Sequence, residues 1–95
     1  VHKEVARILR IKRLVVKFRN LSSKGEFGHI YDKVIVLDPK RSLPLAKVFL
    51  HECFHYLYPT YPETTILRME NVTWRRLSRK DIERLYRKMF RSVHK

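Results

Sequence analysis

The stretch Leu45-Ala46-Lys47-Val48-Phe49-Leu50-His51-Glu52-Cys53-Phe54-His55-Tyr56-Leu57-Tyr58 organises the rest of the chain around it. Leu45, Val48 and Phe49 form an apolar stripe at helical spacing, and Pro59 ends the run. Ser42 can cap the start and Pro44 suits the first turn, so the spacing predicts a helix over 42–58. On such a helix His51 and His55 share one face, a turn apart. Both imidazoles can then reach a single zinc ion, which takes nitrogen ligands at about 2 Å and keeps an open position for water. Glu52 projects to the side of that face, where it can hold a water. Cys53 points roughly 200° away from His51 around the helix axis, which predicts a core thiol and not a ligand.

Composition bounds the remainder. Ninety-five residues make one small domain with a modest core. Lys and Arg number 22 against 9 Asp and Glu, a net charge of +13, which suits polyanionic partners such as nucleic acid, acidic lipid or acidic peptide. The single cysteine excludes an intrachain disulfide. No apolar run approaches a membrane span and no signal-peptide pattern opens the chain, so the expectation is a soluble, cytoplasmic protein.

Helix and strand patterns both occur, predicting an α+β fold. A basic amphipathic helix is expected over 2–12, with Val5, Ile8 and Leu9 on one side. Strands are expected over 14–18, 27–31 and 33–37, with a turn over 20–25. The expected sheet is short and mostly antiparallel. Gly28 suits an edge strand beside a cleft, or a hairpin with a bulge. A link through Pro59 and Pro62 leads to a second helix over 61–77, and a third covers 79–92.

A catalytic zinc site takes three protein ligands, and the second helix holds the candidates. Ile66, Met69, Thr73, Trp74 and Leu77 cluster on one face, and Glu63 and Glu70 fall in the same arc. A carboxylate on a buried face must be paired, hydrogen-bonded or metal-bound. Glu63, eight positions after His55, is the chosen ligand; its competing role is a capping box with Thr60. Glu70 is the rival ligand, or the partner of a ligand histidine's other nitrogen, or a surface partner for Arg68 or Arg75. His29 and His94 are further ligand candidates.

The sequence HECFH, followed by a Pro-bearing turn and a Glu-bearing helix, resembles the gluzincin metallopeptidases. In length it looks most like the minimal soluble members called minigluzincins, which resemble the catalytic domains of membrane-embedded zinc peptidases. The resemblance covers about residues 14–78. It implies a zincin-like domain in which His51 and His55 are zinc ligands, Glu52 is the general base and Glu63 matches the gluzincin glutamate. It also implies a peptide or protein substrate, added to an edge strand as a further strand. The chemistry would be peptide hydrolysis by zinc-activated water, with Tyr56, Tyr58 or Tyr61 as a candidate to steady the oxyanion.

Ser78 and Asp81 can cap the C-terminal helix. Ile82, Leu85, Tyr86, Met89, Phe90 and Val93 follow helical spacing, opposite Arg84, Arg87, Lys88 and Arg91. Such a stripe packs on its own core or docks across a partner subunit. The resemblance implies a latent form, with residues 79–95 obstructing the site in cis or by exchange in a homodimer, and His94 reaching the metal. The alternative is a basic nucleic-acid-binding module with a structural or degenerate HECFH. Against it, the basic residues spread along the whole sequence with no stripe or known binding motif.

Overall fold

The structure, a computed structural model, describes residues 1–19, 28–31, 34–39 and 44–93. Four helices and three strands occur among them: α1 (Lys3–Leu9), β1 (Val15–Phe18), β2 (Gly28–Tyr31), β3 (Val34–Leu37), α2 (Leu45–Leu57), α3 (Glu63–Arg76) and α4 (Arg79–Arg91). The α+β class holds. The expected Ser42 cap, the 20–25 turn and His94 lie outside the described residues.

The sheet departs from expectation. Its strand order is β1-β3-β2, with β1 parallel to β3 and β2 antiparallel to β3. It is therefore mixed, not mostly antiparallel. Strand alternation shows which residues form strands but not which strands become neighbours; here β3 enters between the two earlier strands. All of Ile35, Val36 and Leu37 are buried, as suits a central strand covered on both faces. β2 takes an edge and pairs antiparallel with its sequence neighbour β3, so the arrangement fits both an edge strand and a hairpin at Gly28. Beside β1, Val93 bridges Val16, and the Val16 N–H donates to the Ser92 carbonyl at 2.8 Å. The end of α4 thus occupies part of an edge that would otherwise present unpaired backbone groups.

One hydrophobic core joins these elements. Val5 and Ile8 of α1, Val16 of β1, Ile35 and Leu37 of β3, Phe49, Leu50 and Phe54 of α2, Ile66 of α3, and Leu85 and Met89 of α4 are all fully buried in it. Helical periodicity accounts for the helix residues among them, and strand pairing in the sheet for Val16, Ile35 and Leu37. α2, which carries the two histidines, packs against β2 and β3 and against α3 and α4. Burial fixes its rotation and leaves its remaining face to α3.

Candidate metal centre

α2 begins directly after Pro44 and runs through the histidine pair to Leu57. A five-residue link returns the chain to α3, whose N-cap is Pro62 in an extended conformation, without a side-chain cap. The alternative Thr60–Glu63 capping box is thus not formed. Glu63 is the first helical residue, and its carboxylate is released to reach back toward α2.

Two rows of side chains meet between these helices. On α2, Lys47, His51 and His55 lie at i, i+4 and i+8, along one face. On α3, Glu63 and Glu70 stand about two turns apart on the facing side. The helices run antiparallel, and the rows interleave. Lys47 donates to Glu70 Oε2, and also to Asn71 Oδ1 at 3.0 Å. His51 Nδ1 meets Glu70 Oε1 at 2.5 Å. His51 Nε2 lies 2.7 Å from Glu63 Oε1, and His55 Nε2 lies 2.7 Å from Glu63 Oε2. The two imidazole rings stand edge to face, their centroids 4.9 Å apart.

His51, His55 and Glu63 each offer one ligand atom, and these atoms lie within 4.8 Å of one another. Two donors at about 2 Å from a tetrahedral ion sit roughly 3.3 Å apart, so this trio fits a metal ion with small side-chain adjustments. More than half of the Glu63 side chain is accessible, so the trio lies at the protein surface. Two imidazoles and a carboxylate are a donor set that could hold a metal ion.

Glu70 answers the question posed by its burial. It is 5 % exposed and is satisfied by Lys47 and His51, not by Arg68 or Arg75. With Nδ1 held by Glu70, the ring is oriented so that Nε2 is the nitrogen facing Glu63. The electrostatics agree. Burial draws the Glu70 carboxyl upward, but the His51 hydrogen bond and the Lys47 ammonium outweigh it and leave its pKa lowered. Burial likewise favours neutral His51, yet the Glu70 hydrogen bond and the charges of Glu52, Glu70 and Glu63 raise its pKa. Lys47 escaped the sequence reading. Its signal was its place four residues before His51 on the same helical row.

Glu52 is buried in α2 directly after His51. Cys53 is fully buried, as expected; burial, reinforced by the neighbouring Glu52 charge, pushes its thiol pKa well up and keeps it inert. Among the tyrosines, Tyr58 donates to Glu4 of α1 at 2.9 Å and accepts from Arg7, which ties the end of α2 to α1. Tyr61 stacks on Tyr58 with centroids 5.0 Å apart, and Tyr56 packs against the core. Neither these contacts nor the cleft of about 460 Å³ beside Tyr58 and Tyr61 involves the histidine pair. His29 pairs with Val36 through its backbone in β2. No family model, curated protein or solved structure matches the chain.

Proposed function

We propose that the protein is a zinc-dependent peptidase with His51, His55 and Glu63 as metal ligands and Glu52 as general base. The reading rests on the convergence of two imidazole nitrogens and a carboxylate from antiparallel helices, with the Glu52 carboxylate next along the chain. Zinc is the metal that suits this donor set, and when bound it acts as a Lewis acid and brings the pKa of a ligated water toward neutrality. With the metal held by His51, His55 and Glu63, Glu52 would serve as the base for a water at the site and as the proton donor to the leaving amine. Glu70 keeps the His51 ring oriented, and Lys47 holds Glu70 ionised. β2, at the sheet edge and packed on α2, offers backbone groups along which an extended peptide can lie.

Glu52→Ala tests the assignment. Zinc content should stay stoichiometric while peptide hydrolysis falls by about 10²–10⁴-fold, the usual contribution of a positioned base. Hydrolysis at the parental rate would reject Glu52 as the base.

A further inference from the structure

α4 and the link between α1 and β1 build a second cleft that shares no residue with the histidine site. A cleft of about 490 Å³ is lined by Arg13, Arg84, Arg87, Lys88 and Arg91, with Leu9, Leu14 and Ser92 as its remaining walls. No acidic residue lines it. Arg13 adopts a left-handed conformation with φ of 61°, an uncommon one for a residue with a Cβ, as the chain turns from α1 toward β1. Lys88 is already engaged: its ammonium donates to the Leu9 and Ile11 carbonyls at 3.4 and 2.6 Å. Arg84 bonds Asp81 at 3.2 Å. Arg13, Arg87 and Arg91 are exposed and have no carboxylate partner among the described residues. Seen down α4, Arg84, Arg87 and Arg91 fall within an arc of about 60°.

Aromatic rings border this row. Phe90 is 58 % exposed, stacks on Tyr86 at 6.3 Å and lies 6.3 Å from Phe18 of β1. Phe90 and Arg87 are i, i+3 neighbours on the helix surface. An exposed ring flanking a track of guanidinium groups is the pairing that binds single-stranded nucleic acid: cations follow the phosphates while a base stacks on the ring. Other anions fit less well. A membrane surface would draw on the apolar face of α4, but Leu85 and Met89 on that face are fully buried in the core. A duplex keeps its bases stacked inside and offers Phe90 nothing. An acidic peptide has charge but no base to stack.

We infer that the cleft between α4 and the α1–β1 link binds single-stranded nucleic acid through Arg13, Arg87 and Arg91, with Phe90 as a stacking platform. This site is separate from the metal centre and does not depend on the peptidase reading. Fluorescence anisotropy with a labelled 15-mer of thymidine tests it. Three neutralised phosphates predict an affinity that falls roughly twenty-fold between about 50 and 200 mM salt. R87Q/R91Q should weaken binding and cut that salt loss to about threefold, with an unchanged circular dichroism spectrum. Phe90→Ala should weaken binding by about tenfold with the salt loss unaltered. Three results would overturn the proposal: no binding at low salt, R87Q/R91Q binding as tightly as the parent, or phosphatidylserine vesicles, polyglutamate or a duplex of equal length competing better than the unlabelled single strand.

Discussion

Glu70 meets two demands with one carboxylate: it satisfies the charge of Lys47 and fixes the ring of His51. A buried anion with neither partner would cost several kcal/mol, so the pair on α2 is what permits an acidic residue on the inner face of α3. Its contribution to the proposed metal site is therefore indirect and measurable. Glu70→Gln preserves the shape but weakens the hold on Nδ1–H, and zinc affinity should fall about 10–100-fold in a competitive chelator titration. An affinity within a factor of about two of the parent would show that the ring is oriented without Glu70. This residue also shows what a helical wheel conveys. Glu63 and Glu70 project onto the same arc, yet Glu70 is 5 % exposed and Glu63 stands at the open end of the helix. Periodicity gives direction around an axis and says nothing of how much protein covers each turn.

Among the elements, α4 is specified most completely by its own residues. Ser78 accepts from the Asp81 N–H at 3.1 Å while Asp81 accepts from the Ser78 N–H, so the anticipated capping box is formed. Burial pushes the Asp81 carboxyl upward, but hydrogen bonds from Ser78 and from the His2 backbone outweigh it and leave the pKa lowered. A folded-state value below the unfolded one stabilises the protein above the ordinary carboxylate range and loses that stabilisation as pH falls through it. Ser78→Ala should therefore cost about 1 kcal/mol at neutral pH and lower Tm by about 4–8 °C. Asp81→Asn should flatten the acid limb of a stability profile below about pH 4. A Ser78→Ala variant with the parental Tm would show that the cap contributes nothing. α2 contrasts with α4: it has no side-chain cap and stands on tertiary burial of Phe49, Leu50 and Phe54.

For the molecule as a whole, the position of α4 bears on latency. Leu85 and Met89 complete the core against α1 and α2, and Val93 extends the sheet at β1. Truncating either core side chain to alanine costs about 2–5 kcal/mol, against a total stability of about 5–15 kcal/mol for a domain. Deleting residues 79–95 should therefore abolish cooperative thermal unfolding. A shortened protein that unfolds cooperatively and gains peptide hydrolysis would instead identify the segment as an inhibitory latch. The same packing gathers charge. Arg13 and Arg91 are 78 positions apart in the chain and line one cleft, which is why the basic residues look dispersed in sequence and form a track in space.

The local rules that write helices are short-ranged, and the chain obeys them. Apolar spacing marked all four helices to within a few residues, the i, i+4 histidines had to share a face, and the Ser78 cap needed only three residues of context. The insertion of β3 between β1 and β2, the interleaving of Lys47, Glu70, His51, Glu63 and His55, and the assembly of the arginine track all required distant segments to meet. Such meetings are selected by closing one shared core, a condition on the whole chain that no window of neighbouring residues contains.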